Sequence, residues 1–121
     1  MNTLVTALLS IALSVAAQFS LKAGMSDQGV REAMAQPSSL GTLFTVFTNK
    51  YVLGGFVLYG LGAVIWLGVL SKWDVSKAYP LVGLGFVFTV LVGLMLGEQV
   101  SALRAAGVVL ICAGVFVVAR S

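Results

Sequence analysis

The chain has no histidine, one cysteine, two prolines and only four acidic residues in 121. Each shortage excludes a class of chemistry. Without histidine there is no histidine-based catalytic triad and no imidazole metal ligand. A lone cysteine, Cys112, forms no intrachain disulfide, says nothing about redox compartment, and reads as a small buried hydrophobe in the last apolar run. Four scattered acids give no recognisable metal-ligand spacing. No phosphate-cradling loop is present either, because Gly83-Leu84-Gly85 lies inside an apolar run and no lysine follows it. Neither a catalytic residue, a metal site nor a cofactor is expected. The scarcest commodity is charge itself: 9% of residues are charged and 60% hydrophobic. Soluble domains carry about a quarter charged residues, so the chain is expected to be an integral membrane protein. The formal charge of +3 sits on residues scattered at the ends of apolar runs, where membrane proteins place them, and does not mark a nucleic-acid surface.

What is present in abundance is length of apolar sequence. A bilayer core takes roughly 20 apolar residues per helix, and four runs meet that need: 3–21, 51–70, 79–96 and 103–119. They predict an all-α fold, a single domain of four transmembrane helices filling residues 1–121. The first run also carries Ser14-Val15-Ala16, loosely like a signal-peptidase site. Its leading residues hold no Lys or Arg, and its apolar stretch exceeds a signal peptide's, so it is expected to stay as a span. Short links, 71–78 and 97–102, make the last three spans antiparallel neighbours. The first link, 23–50, is longer. It starts polar, breaks at Pro37-Ser38-Ser39, and resumes with Leu40, Leu43, Phe44 and Phe47 at helical spacing. That spacing predicts a short helix over Leu40–Phe47, lying in the interface or opening the second span early, with Ser38 or Ser39 as its cap. Basic residues divide four (Lys22, Arg31, Lys50, Arg104) against three (Lys72, Lys77, Arg120) plus the amino terminus, which leaves the orientation open.

The first span has an internal pattern. Asn2, Thr6, Ser10, Ser14, Gln18 and Lys22 recur every fourth residue, with almost only apolar residues between them. Such a seam is costly in lipid and should face other helices or a wet cavity. It contains no carboxylate. Asp27, Glu32 and Asp74 fall in loops, and Glu98 falls just past the third span, within reach of Arg104 across a tight turn. The residues left to contact a substrate inside the membrane are therefore neutral or basic: Ser10, Ser14, Gln18, Lys22 and Tyr79. Gln18 must find a hydrogen-bond partner, in a substrate or on another helix. Lys22 either snorkels to headgroups or holds a phosphate or carboxylate. Tyr79, Trp66 and Trp73 near span ends also fit an interfacial aromatic belt. Pro80 and the nearby glycines predict a bend in the third span. Gly107 and Gly114, seven apart with Ala106 and Ala113 beside them, offer a close-approach face for a second copy or for ordinary packing within the chain.

Several of these stretches resemble known proteins. The four-span layout resembles the small members of the drug/metabolite transporter superfamily. The stretch Gly107-Val-Val-Leu-Ile-Cys-Ala-Gly114 resembles the dimerising helix of the small multidrug resistance family, and Lys22 with Ala78-Tyr79 also fits it. That family carries a glutamate eight residues before the lysine and a tryptophan three after the tyrosine, where this chain has Ser14 and Val82. Those departures argue against proton-coupled drug export. Leu13-Ser14-Val15-Ala16-Ala17-Gln18 with Lys22-Ala23, Ala78-Tyr79-Pro80-Leu81 and Gly97-Glu98-Gln99 resemble the aminoarabinose–undecaprenyl-phosphate flippase subunits and their EamA-type relatives. The resemblance implies a dimeric transporter of the bacterial inner membrane. Its partners would be membrane lipids, a polyprenyl-phosphate-linked sugar or similar amphiphilic anion, and either a second copy or a similar small subunit. It would put Gln18 and Lys22 at the head, Tyr79 in the groove, and Glu98 with Arg104 at its mouth. Two other classes stay open: a small exporter of hydrophobic cations or metabolites with a displaced coupling site, and a non-transporting membrane partner subunit.

Overall fold

The structure is a computed structural model that describes residues 2–36 and 40–121. Among them are seven α-helices and no strand: α1 (Thr3–Met25), α2 (Gln28–Met34), α3 (Leu40–Thr48), α4 (Lys50–Leu70), α5 (Val75–Leu81), α6 (Gly85–Met95) and α7 (Ala102–Arg120). Four helical stretches are long and apolar enough to cross a bilayer: α1, α4, the composite Val75–Met95, and α7. The chain is thus a multi-pass membrane protein, with short links between its last three spans.

Local chemistry sets the boundaries. The side chain of Asn2 accepts from the Leu4 N–H, that of Asp27 from Gly29 and Val30, that of Asn49 from Tyr51 and Val52, and that of Ser101 from Arg104, each capping orphan donors at a helix start. The Asn49 cap also separates α3 from α4, so the Leu40–Thr48 helix is an element of its own rather than an early start to the second span. The predicted caps Ser38 and Ser39 lie outside the described residues. Helix α6 ends in a Schellman turn. Gly97 takes φ +88°, its N–H donates to the Leu94 carbonyl at 3.1 Å, and the Glu98 N–H donates to the Gly93 carbonyl at 2.8 Å.

The tightest contact is between α1 and α4, which run antiparallel. On α1 the facing stripe is Ala7, Ser10, Ser14, Ala17, Leu21 and Gly24; on α4 it is Val52, Gly55, Tyr59, Gly62, Trp66 and Val69. Both alternate steps of three and four, the spacing of left-handed helix pairs. Small residues bring the backbones close. A Cβ on Gly55 would lie 2.7 Å from Leu21 and 3.1 Å from the Ala17 carbonyl oxygen, and one on Gly24 would lie 2.6 Å from Val52. The hydroxyls of Ser10 and Ser20 donate across the contact to the carbonyls of Gly62 (2.7 Å) and Tyr51 (2.6 Å).

The third span is broken where the sequence bends it. Pro80 sits in α5, and a single 3-10 turn, Val82–Leu84, joins α5 to α6. Proline removes a helix donor and crowds the preceding turn, and a 3-10 turn tightens the chain there. The span starts at Val75, a turn before the expected Tyr79, because Asp74 marks the start of α5. Lower down, Ala78 packs with Ala7 and Val69. Higher up, a Cβ on Gly85 would meet Ile11 and Val15 at 3.3 and 3.5 Å, so this span runs parallel to α1. Helix α7 docks on the break: Ile111 and Val115 press on Gly83, and Val115 is its one buried residue.

Candidate functional site

A helix of 3.6 residues per turn advances about 40° for each step of four. The polar seam on α1 therefore winds round the helix instead of keeping one face. Thr6 returns its hydroxyl to the Asn2 carbonyl within the helix. Ser10 is buried against α4. Ser14 stands at the edge of that contact. Gln18, a turn higher, emerges into the space between α4 and α6, where its side-chain amide donates to the Tyr59 hydroxyl. Lys22 is exposed one turn further on.

That space is a cleft with α1 as its floor. One part, about 190 Å³, is lined by Ser10, Ser14, Tyr59, Gly62, Ala63 and Trp66, and a larger part, about 460 Å³, by Ser14, Val15, Gln18, Tyr59, Gly85, Phe86 and Thr89. Ile11, Ser14, Tyr59 and Val82 belong to both. The two chambers are thus one cleft, with Tyr59 at the waist. Gln18 and Phe86 at the rim are exposed, so the cleft opens sideways. Its lining holds hydroxyls, one amide, a phenol and an indole, and no charged side chain. On the other side of α6 a furrow of about 450 Å³ between α1 and α6 is wholly apolar, lined by Ala12, Val15, Ala16, Phe19, Phe88 and Val92.

The sequence-derived candidates divide accordingly. Ser10, Ser14 and Gln18 line the cleft. Lys22 lies beyond its upper end. Tyr79 is 67% exposed and lines neither chamber; it stands a full turn before the break, so it points out of the bundle. Glu98 folds back over Gly93, where an added Cβ would lie 2.9 Å from its carboxylate. Arg104 donates to the Gln99 carbonyl at 3.0 Å. The turn at Gly97 is tight, as expected, but it directs these two side chains to its own backbone and not into the cleft. A Cβ added at Gly107 or Gly114 would meet nothing within 4 Å. Among the described residues no group of three or more potential metal ligands occurs.

Tyr59, Trp66 and Thr89 line the cleft without having been read from the sequence as site residues. The available signal was the stripe Gly55, Tyr59, Gly62, Trp66, which places both aromatics on the face that the glycines turn toward α1. Trp66 is half-buried and packs against Val69 and Ala78, an inward placement unlike that of a belt residue.

Comparison with known proteins agrees with this architecture. The family model described as "Putative transmembrane family 234" matches residues 8–119. The "Probable 4-amino-4-deoxy-L-arabinose-phosphoundecaprenol flippase subunit ArnF" of Proteus mirabilis is 30% identical over 118 residues, 94% of this chain and 89% of that one. The correspondingly named ArnE subunits of Pseudomonas savastanoi pv. phaseolicola and Erwinia tasmaniensis are each 45% identical, over 62 and 65 residues. Those matches span 54% and 60% of the two relatives, little more than half their length. No solved structure gives a significant match. The chain belongs to transmembrane family 234 and, along nearly all its length, is a relative of the ArnF flippase subunits.

Proposed function

We propose that this chain is a subunit of a flippase that carries a polyprenyl-phosphate-linked sugar across the bacterial inner membrane. The observation that carries this reading is the uncharged polar cleft with a lateral opening. A glycosyl headgroup is rich in hydroxyls, and taking each hydroxyl into an apolar medium without a partner costs roughly 2–7 kcal/mol. The hydroxyls of Ser14 and Thr89 and the Gln18–Tyr59 pair offer such partners within the span. The isoprenoid tail has no such need and stays in lipid beyond the open rim at Phe86. Lys22, exposed one turn beyond Gln18, would attract the phosphate as the head enters or leaves.

The similarity to proteins named as 4-amino-4-deoxy-L-arabinose-phosphoundecaprenol flippase subunits supports that substrate class and a multi-subunit assembly. A partner of similar size, or a second copy, would close the open side. The exposed face of α7, with Gly107 and Gly114 unoccupied, is available for that contact. Export of hydrophobic cations gains no support from a cleft whose described lining contains no carboxylate, since desolvated acids are what such coupling needs.

Native mass spectrometry of the gently purified protein, with undecaprenyl phosphate added, tests the reading. The expected result is a dimer retaining the lipid, with Lys22→Ala weakening retention more than Glu98→Gln. A protein that binds no polyprenyl phosphate, or the reverse order of the two variants, would remove the flippase assignment.

A further inference from the structure

Two aromatic side chains of α4 line the smaller chamber of the cleft. Trp66 is half-buried and contributes to the chamber wall, while its ring also touches the Val69 and Ala78 cluster. Tyr59, two turns earlier on the same face of α4, also lines the chamber, its hydroxyl engaged by Gln18. Between them lies a space of about 190 Å³ that Ser10 and Ser14 border on the α1 side. The Ser10 hydroxyl hydrogen is committed to the Gly62 carbonyl. The Ser14 hydroxyl is free to donate or accept among the described residues. Ring walls with hydroxyls at the edge match one chemistry in particular. A sugar ring has a C–H face that lies against an aromatic ring and a perimeter of hydroxyls that bond to polar groups. An indole presents a negative face to such polarised C–H groups.

We infer that Trp66 and Tyr59 wall a subsite for the glycosyl ring, with Ser14 bonding its hydroxyls, so that this chain distinguishes a sugar-loaded polyprenyl phosphate from the bare lipid. The inference rests on the flippase reading and adds to it the place and manner in which the sugar is read. The subsite bears no acid, so the ring is recognised by its face and hydroxyls and not through an ammonium group. Trp66 acts as a specificity residue, and Lys22 serves both lipids alike because both carry the phosphate.

The test is binding of the full chain in lipid nanodiscs to two probes, undecaprenyl phosphate and its 4-amino-4-deoxy-L-arabinose conjugate. The wild type is expected to favour the conjugate by about tenfold, the scale of one good aromatic contact plus a hydrogen bond. Trp66→Leu should abolish the preference while leaving bare-lipid binding unchanged, and Trp66→Phe, which restores a ring, should recover most of it. Lys22→Ala should weaken both probes and keep the preference. Equal weakening of both probes by Trp66→Leu and Trp66→Phe would overturn the subsite and leave Trp66 a packing residue, as would a wild type that binds both probes equally. A wild type that binds neither would instead overturn the flippase reading beneath it.

Discussion

Replacing Gly55 by alanine should be among the most damaging single-methyl changes in this molecule. The added Cβ would lie 2.7 Å from the Leu21 side chain and 3.1 Å from the Ala17 carbonyl oxygen. Carbon atoms pack at about 3.5–4.0 Å, so the overlap approaches 1 Å. Leu21 can turn part of the way, but the Ala17 oxygen is helix backbone and moves only if α1 moves. A retreat of that size would carry the Ser10–Gly62 and Ser20–Tyr51 bonds, now 2.7 and 2.6 Å, past hydrogen-bonding distance. Overpacking costs about 1–3 kcal/mol, and each interhelical bond in a membrane about 0.6 kcal/mol. The expected loss is thus about 2–4 kcal/mol. Reversible unfolding of the purified protein in mixed micelles, followed by tryptophan fluorescence, reads it. Gly60→Ala is the control on the same helix, because a Cβ there meets nothing within 4 Å. If Gly55→Ala and Gly60→Ala unfold together, the close approach of α1 and α4 is not what holds this pair.

Other consequences are as direct. Gly97→Ala should cost about 1–2 kcal/mol in the same assay, because a φ of +88° suits no side chain. Gln18→Leu should leave the fold intact, its side chain being exposed at the rim, and abolish binding of the sugar-linked lipid; retained binding would reduce Gln18 to a partner for Tyr59. Gly114→Ile fills a position with open space around it, so it should leave the monomer's stability unchanged and lower crosslinking between copies. Unchanged crosslinking would remove α7 from the contact.

Most of the fold was legible because a bilayer imposes a coarse rule: the span that must be apolar is fixed in length. Composition alone placed four helices, and Pro80 with its glycines placed the break. The short helix after the first link was legible from the spacing of Leu40, Leu43, Phe44 and Phe47, yet its separation from α4 depended on one cap, Asn49. The site was legible only in part. The seam at Ser10, Ser14 and Gln18 is a local pattern on one helix. Tyr59 and Thr89 come from two others, and no spacing within the chain says which faces meet. Tyr79 illustrates the converse. It was placed by likeness to a motif, while its orientation depended on where the third span breaks. Glu98 and Arg104 were near each other in sequence, but Glu98 folds back over Gly93 and Arg104 donates to the Gln99 carbonyl instead.

The slight burial of α7 bears on how the protein is made. The helices that hold each other most tightly, α1 and α4, are both complete before the ribosome reaches the third span, so the firmest part of the molecule can assemble in the membrane while synthesis continues. Helix α7 emerges after the other three, with Val115 as its one buried residue. A chain cut before Ala102 should therefore still insert and pair α1 with α4.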